Sequence, residues 1–393
     1  MKRIFLLTLT ICMGIFILLN IYYLGNKEEA KINNTDAIKT SSTPEIKAMT
    51  LVAAGDCLMH NTQIWSGLQP DGSYCFERFF VDVKEYINDG DYSLINLETP
   101  LAGPNSGYTG YPLFNSPDAI ADTLEKAGFD LIVTANNHAM DRGYTGTVRT
   151  LEVLHNAGLD TVGTYKSDEE SRTFLIRDIN GIKTGFIAYS YGTNGLPVPQ
   201  EHPYLFNFLE KDKVLADIAA LRPEVDVLVL ILHWGVEYTP KPTTEQTETA
   251  YEFFEAGADV ILGSHPHVIQ DMEIIRIKDK DRFVVYSMGN FISHQIGQKR
   301  NSGVLLKIKF VQEVLNGDTV LDSISYIPTY SHHYYENGKM HFRVVPVKDT
   351  IQKIENGEEP YLVYEDIPVL QSVLDYTSNQ LGEPFTGSNQ TTL

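Results

Sequence analysis

Short apolar runs alternate with amphipathic segments along most of the chain, and this alternation predicts the fold class. Seven runs of strand length are continuously apolar, which is typical of strands that are buried on both faces. They are "MTLVAAG" from Met49, "YSLINL" from Tyr92, "DLIVTA" from Asp130, "TGFIAYS" from Thr184, "VDVLVLIL" from Val225, "ADVILG" from Ala258 and "RFVVYSM" from Arg282. After Ser302 the runs alternate apolar and polar residues instead, which predicts antiparallel strands.

Three amphipathic segments lie between these runs and predict helices. They are "SPDAIADTLEKAG", "TGTVRTLEVLHNAG" and "TEQTETAYEFFEAG", and each ends at a glycine, the residue that most often terminates a helix. A βαβα order with buried strands implies sheets that are covered by helices. The sequence therefore predicts an α/β fold, and it shows no internal repeat.

The N-terminus predicts a membrane anchor. Ile4–Leu24 is uncharged and long enough to cross a bilayer of about 30 Å as a helix. Lys2 and Arg3 precede it, which keeps the N-terminus cytoplasmic and exports the remainder. A cleaved signal peptide and a lipoprotein are the alternatives, but no A-x-A-like cleavage site follows, and Ile11 occupies the position before Cys12 where a lipoprotein has a small residue. We expect a single-pass protein of the cell membrane with an extracellular domain.

Composition divides the remaining chain. Residues 25–48 are polar and lack aromatic residues, which is typical of a flexible linker. We place a folded domain at 49–347 and a C-terminal extension with a loose polar end at 348–393. The net charge of -20 excludes a nucleic-acid backbone as the partner. Cys57 and Cys75, the exported cysteines, form either a disulfide bridge or two free buried thiols.

Polar residues follow six of the apolar runs at the point where each run ends. These residues are Asp56, Glu98, the group Asn136, Asn137, His138 and Asp141, then His233, the group Ser264, His265 and His267, and finally Asn290. Each has an ordinary explanation taken alone, such as a turn cap for Asp56 or a satisfied core imidazole for His233. Because the carboxyl ends of parallel strands meet at one edge of a sheet, one shared site explains all of them together.

The residue types at this edge favour a metal site. Imidazole and carboxylate ligands in mixed number suit Mn, Zn or Fe, and a pair of ions about 3.5–4 Å apart clamps a substrate oxyanion. We expect a divalent metal centre of two ions in which Glu98 bridges and the Asn137 amide oxygen is a ligand. Pro266 fixes the backbone between His265 and His267, so the two rings are held in set directions.

Four motifs then point to a family. "ANNHAMDRG", "HWGVEY", "GSHPHVIQ" and "YSMGNFI", in this order after "AAGD" and "NLE", resemble the bacterial capsule-synthesis proteins CapA and PgsA over residues 51–291. The resemblance implies a role in making or exporting capsular poly-γ-glutamate in a membrane complex with ligase subunits. That family is in turn similar to calcineurin-like metallophosphoesterases, which implies a four-layer α/β/β/α sandwich.

The resemblance also implies roles for individual residues. Asp56 and His267 would hold one ion, while Asn137, His233 and His265 would hold the other, with Glu98 in place of a bridging aspartate. His138, with Asp141 beside it, would face the substrate and protonate a leaving group. We expect substrate contacts from Asn136, Arg142, Asn290 and His60.

The chain departs from the phosphoesterase pattern at the first metal position. The usual Asp-x-His reads Asp56-Cys57-Leu58 here, and His60 lies two residues beyond. Four functions therefore stay open: a component of anionic polymer biosynthesis, a phosphoesterase acting on a cell-envelope ester, an epimerase acting on a peptide, and a scaffold that binds the polymer without catalysis.

Overall fold

A computed structural model describes residues 46–315 and 317–387. The predicted anchor at 1–24 and nearly all of the predicted linker lie outside these residues. Within the described ranges, none of the helices has both the length and the apolar character needed to span a bilayer. The first strand begins at Ile46, three residues before the predicted start of the domain.

The strands and helices follow the predicted alternation closely. The strands in chain order are β1 (Ile46–Cys57), β2 (Tyr92–Leu97), β3 (Leu131–Val133), β4 (Asp160–Val162), β5 (Leu175–Ile179), β6 (Ile182–Ser190), β7 (Val227–His233), β8 (Val260–Ser264), β9 (Met272–Ile277), β10 (Lys280–Val285), β11 (Asn290–Ile292), β12 (Ser302–Glu313), β13 (Thr319–Glu336), β14 (Lys339–Pro346) and β15 (Phe385–Thr386). The helices are α1 (Asn61–Gly67), α2 (Lys84–Ile87), α3 (Ala119–Ala127), α4 (Gly143–Asn156), α5 (Asp168–Ser171), α6 (Lys211–Leu221), α7 (Thr244–Ala256), α8 (Val347–Glu355) and α9 (Ile367–Leu381). Short 3₁₀ turns lie at Glu77–Phe79, Pro104–Ser106, Pro203–Leu205, Arg222–Glu224, Gln298–Asn301 and Tyr364–Asp366.

The strands form two sheets. The first has the order β14-β13-β12-β1-β2-β3-β4, with β11 beside β1 and β15 beside β13. Its β1 to β4 half is parallel, whereas β12, β13 and β14 are antiparallel, which confirms the predicted change after Ser302. The second sheet has the order β5-β6-β7-β8-β10-β9, and its centre is parallel.

Alternate residues of each strand enter different cores, which builds four layers. Leu51 and Ala53 of β1 pack with Val229 and Ile231 of β7 in a core between the sheets. The intervening Val52 and its neighbours pack instead against the helices on the outer face of the first sheet, including α3 and α4. The helices α6 and α7 cover the second sheet in the same way. The described chain is therefore a mixed α/β fold with the expected α/β/β/α layer order.

Local sequence signals fix the helix ends, including the predicted stops at glycine. Thr243 caps α7, because its hydroxyl accepts from the Gln246 amide while the Gln246 side chain accepts from the Thr243 amide. Gly128 ends α3 at φ 105°, a conformation that glycine adopts without steric cost. These short, well-terminated helices return the chain to the next strand so that the strand ends meet at one edge.

The C-terminal extension packs on the domain. Helices α8 and α9 share a small core with Tyr330 of β13, and Tyr376 of α9 donates to the Ile269 carbonyl at 3.0 Å. Arg343 of β14 pairs with both Asp82 and Glu359, which joins the extension to the first sheet. Phe385–Thr386, within the tail that we expected to be loose, pair with β13 as β15.

Candidate metal centre and cleft

The first sheet places two carboxylates beside each other. Asp56 lies at the end of β1 and Glu98 directly follows β2, and both side chains are fully buried. Asn96 holds them together, because its Nδ2 donates to Asp56 Oδ1 at 2.8 Å and lies 3.4 Å from Glu98 Oε2. A Cβ at Gly55 would lie 1.9 Å from the Gly289 carbonyl oxygen, so only glycine lets β11 approach β1 at this point.

The second sheet brings three histidines to the same place. His233 is the last residue of β7, and its Nδ1 contacts Ser264 Oγ at 2.9 Å, which fixes the ring. His265 and His267 follow β8 with φ angles of 98° and 56°. A positive φ is strained for residues other than glycine, and such strain clusters at functional sites. The proline between them therefore helps to hold two rings that would not adopt this arrangement on their own.

Glu98 lies at the centre of the assembled cluster. Its Oε1 is 3.8 Å from His233 Nε2 and 3.7 Å from His267 Nε2. His267 Nδ1 is 3.1 Å from Asp56 Oδ2, and His233 Nε2 is 2.9 Å from the Asn137 amide oxygen. The two sheets thus contribute their predicted ligands to one site, which is the arrangement that the strand ends predicted.

Two groups of ligand atoms within the cluster have the spacing of an ion site. Asp56, Glu98 and His233 form one group and Glu237, His265 and His267 form the other, with the atoms of each group within 4.8 Å of one another. Glu98 Oε1 and His265 Nδ1 are buried without a hydrogen-bond partner. Buried polar atoms normally have a hydrogen-bond partner, so two atoms without one fit ligands whose lone pairs would bind a cation.

Glu237 is a candidate ligand that the sequence did not predict. It is exposed and lies in the irregular segment after β7, opposite His265 and His267. The Tyr238 amide donates to the Pro266 carbonyl at 2.7 Å, which holds this segment against the histidine loop. The sequence feature that could have indicated Glu237 is its position four residues after His233 in the motif "HWGVEY".

Burial and mutual repulsion shift the protonation of the cluster. Burial, followed by the nearby charges of Asp56, Glu237 and Asp141, raises the pKa of Glu98 well above its ordinary value. Burial and the neighbouring imidazoles hold the pKa of His233 well below its ordinary value, and burial lowers the pKa of His265 to about 3. Both histidines are therefore neutral at physiological pH, which is the form that donates a lone pair to a metal.

A histidine–aspartate pair stands beside the cluster. His138 Nδ1 is 2.8 Å from Asp141 Oδ2, and this oxygen also accepts from the Phe114 amide at 2.7 Å. The Phe114 ring meets the His138 ring edge-on at 4.6 Å. Asn194 Nδ2 is 3.5 Å from His138 Nε2 and its Oδ1 accepts from Asn137. The pair therefore has the geometry of a carboxylate that orients an imidazole for proton transfer.

A cleft of about 440 Å³ opens onto these groups. It is lined by Leu58, His60, Tyr111, Pro112, Leu113, Phe114, Asn137, His138, Asp141, Asn194, Leu196, Glu237, Tyr238, His267 and Gln295. Leu58 is buried in its wall, at the position where the phosphoesterase pattern has a histidine. Burial lowers the pKa of His60, which is half-buried in the same wall, to about 4.

Residues 50–295 match the model of a family described as "Bacterial capsule synthesis protein PGA_cap". The chain belongs to this bacterial capsule synthesis family. It is 26% identical over 304 residues to a capsule biosynthesis protein CapA from Bacillus anthracis, covering 75% of this chain and 71% of that protein. It is 29% identical over 174 residues to a PGA biosynthesis protein CapA from Bacillus subtilis, covering 44% of each chain.

A solved structure of a calcineurin-like phosphoesterase, YfkN from Bacillus subtilis, overlaps 85% of this chain and 99% of that chain. The sequence identity is 12% and the TM-score is 0.40.

Three residues of this capsule-family chain that we expected to contact substrate form hydrogen bonds to other residues of the protein. Asn136 donates to Asn96 Oδ1 and to the Leu97 carbonyl, and its own oxygen accepts from the His138 amide. Arg142 binds the carbonyls of residues 113 and 114 and the Thr109 hydroxyl, so it braces the loop that forms one cleft wall.

Asn290 is the third of these contacts. Its Oδ1 lies 3.0 Å from His267 Nδ1, and its Nδ2 donates to Gln295 and to the Arg300 carbonyl. The structure thus places Asn290, like Asn136 and Arg142, in contact with the groups that form the cleft, whereas His60 faces the cleft itself.

Cys57 and Cys75 are both free thiols in the structure, with Cys57 buried and Cys75 exposed.

Proposed function

We propose that this chain is an accessory protein in the synthesis or export of an anionic capsule polymer of the poly-γ-glutamate type. Its cleft would be an active site that depends on divalent metal. One observation carries the proposal: buried histidine and carboxylate ligands from both sheets converge beneath an open cleft and leave Glu98 Oε1 and His265 Nδ1 unpaired. The relatives named for capsule and PGA biosynthesis supply the polymer class.

The donor set indicates which residues would hold the ions. Asp56, Glu98 and His233 would form a fully buried position, and Glu237, His265 and His267 a position that is open on the Glu237 side. Nitrogen and carboxylate donors in these numbers suit Mn, Zn or Fe, the metals expected from the sequence. A bound ion would supply Lewis-acid polarisation of a substrate oxygen.

The protein's own contribution to the chemistry is a positioned proton carrier. Asp141 fixes the His138 ring through Nδ1, so Nε2 is the nitrogen left to exchange a proton with substrate. Phe114 and Asn194 restrict the ring on its other sides. General acid or base catalysis of this kind contributes about 10²–10⁴-fold to a rate.

The expected location completes the proposal. An uncleaved anchor at 1–24 would hold the described domain outside the cell membrane, where an exported polymer emerges. Synthase subunits of the same membrane complex would be its protein partners.

The test is complementation of a deletion strain of the source bacterium, with polymer amount and chain length as the readouts. Wild type and His155→Gln should restore both, because His155 lies on α4 outside the cleft and its side chain contacts the Thr161 hydroxyl. His233→Gln and His138→Gln should fail to restore them at equal protein level. An unchanged polymer in the deletion strain, or full rescue by His233→Gln, would exclude the proposal.

A further inference from the structure

The cleft offers no side-chain cation to an anionic substrate. Its described lining residues include Asp141 and Glu237 but no lysine or arginine. The whole chain carries a net charge of -20, so a polyanion approaching the mouth is repelled unless a local positive group meets it. Bound ions would supply such charge at the floor of the cleft, but a polymer extends beyond the floor.

Arg300 brings positive charge against one residue of the cleft wall. Its guanidinium lies 3.8 Å from the centre of the Tyr238 ring, and Tyr238 lines the cleft. The same ring lies 6.0 Å from the ring of His267. The Tyr238 ring therefore contacts the guanidinium and also lies near a candidate metal ligand. Among residues 46–315 and 317–387, no carboxylate lies within ion-pair distance of Arg300, in contrast to Arg343, which pairs with two.

The backbone of Arg300 is fixed to the same site. Asn290 Nδ2 donates to the Arg300 carbonyl at 2.7 Å, while Asn290 Oδ1 contacts His267 Nδ1. The Arg300 amide donates to the Gly297 carbonyl at 3.1 Å, which closes the turn. One buried asparagine thus fixes the backbone of Arg300 relative to a candidate metal ligand, and such pre-organisation lowers the entropic cost of binding.

Exposed apolar side chains surround part of the cleft mouth. Tyr111 and Leu113 line the cleft on one side, while Val236 and Ile296 are the chain neighbours of lining residues on the others. Ile296 is 89% exposed. Apolar side chains cover the methylene groups of a ligand, whereas a guanidinium takes a carboxylate. The rim therefore fits a chain in which methylene groups separate the carboxylates better than it fits a small, fully hydrated anion.

We propose that Arg300, stacked on Tyr238, is a carboxylate-binding subsite that positions a polymer of γ-linked glutamate across the cleft. This inference rests on the proposed function and deepens it. One carboxylate of the polymer would reach the floor of the cleft while a neighbouring one is held by the guanidinium at the rim. Arg300 is a positioning residue in this scheme and takes no part in proton transfer.

The test measures binding of a fluorescent γ-linked glutamate oligomer to the full-length protein in the presence of Mn²⁺. Fluorescence anisotropy is the readout. Arg300→Ala should weaken binding about tenfold or more, the loss expected for a charge-assisted contact. Lys299→Ala is the matched control, because it removes the same charge from the adjacent residue, whose ammonium lies over Tyr376 instead. It should leave the affinity within about twofold of wild type, a change of less than 0.5 kcal/mol. A γ-linked glutamate oligomer whose α-carboxylates are converted to carboxamides should bind weakly and equally to all three proteins.

Metal content separates this inference from the proposed function. If Arg300→Ala retains wild-type ions and wild-type oligomer affinity, the subsite is wrong while the metal-dependent function stands. Equal losses in Lys299→Ala and Arg300→Ala would reduce the effect to overall charge and also overturn the subsite. Displacement of the oligomer by inorganic phosphate in an Arg300-dependent manner would assign the subsite to phosphate and contradict the carboxylate. A wild type that binds ions but does not prefer the carboxylate oligomer over the amide would contradict it as well.

Discussion

Replacing Glu98 with glutamine should affect the metal-free and metal-loaded protein in opposite directions. The Glu98 carboxylate is fully buried beside Asp56, and its Oε1 has no hydrogen-bond partner. An ionised group in this position destabilises the folded state unless a cation compensates it. Glutamine keeps the shape and removes the charge, so the metal-free variant should unfold at a temperature equal to or above that of wild type.

The metal-loaded protein should show the reverse order. An ion at a hundred times its dissociation constant stabilises the folded state by about 2.7 kcal/mol. For the ~340 described residues, an unfolding entropy of about 0.7 kcal/mol/K turns this into a rise in Tm of about 4 °C. Glu98→Gln should lose most of that rise, because the carboxylate at the centre of the cluster is gone.

The assay is calorimetry of full-length protein with and without Mn²⁺. Glu359→Gln is the control, because Glu359 is a largely buried carboxylate that pairs with Arg343 away from the cleft. It should lower Tm with and without metal by the same amount. A Glu98→Gln protein that melts well below wild type without metal, or that retains the full rise with Mn²⁺, would refute the assignment of Glu98 as the central ligand.

Three further predictions follow from individual groups. The pKa of His265 falls from 6.5 to about 3 on folding, so the unfolded chain takes up the proton first as the pH falls. The free energy of unfolding of the metal-free protein should therefore fall by up to about 1.4 kcal/mol per pH unit below pH 6.5 because of this group. Urea unfolding at pH 7 and pH 5 should show a smaller fall in His265→Gln than in wild type. Arg343→Met should lower the free energy of unfolding by about 3–5 kcal/mol in the same assay, because it leaves the buried Glu359 carboxylate without its cation. A decrease below about 1 kcal/mol would contradict the pairing. Iodoacetamide should label exposed Cys75 in the folded protein and Cys57 only after unfolding, because Cys57 is buried and burial strongly raises the pKa of its thiol. Peptide mapping locates the label. Recovery of a Cys57–Cys75 disulfide would contradict this prediction.

The predicted fold and ligands depended on signals that are strong in a single sequence. Continuously apolar runs mark strands buried on both faces, and all seven of the predicted runs are strands. A polar residue at the end of such a run stands out, which is why Asp56, Glu98 and His233 could be named in advance. The short strands β4 and β11 carry too few residues to show a period, so the parallel pairing of Asn290 with Asp56 was not predictable.

The remaining site residues could not be predicted because tertiary contacts define them. Asn96 lies inside the β2 run, and only the neighbouring strand shows that it links two carboxylates. Glu237 and Asn194 lie in irregular segments, where a polar residue is ordinary and no period applies. The charge of Arg142 suggests a substrate contact, but its guanidinium donates instead to backbone carbonyls of the 109–114 segment.

The metal content of the purified full-length protein tests the central claim most directly. Wild type grown with Mn, Zn and Fe should retain one to two ions per chain, as the two ligand groups predict. His265→Ala combined with His267→Ala should retain fewer, and His155→Ala should match wild type. A wild type that holds no ion under this supply, or a double variant with unchanged content, would contradict a metal centre at this edge of the sheets.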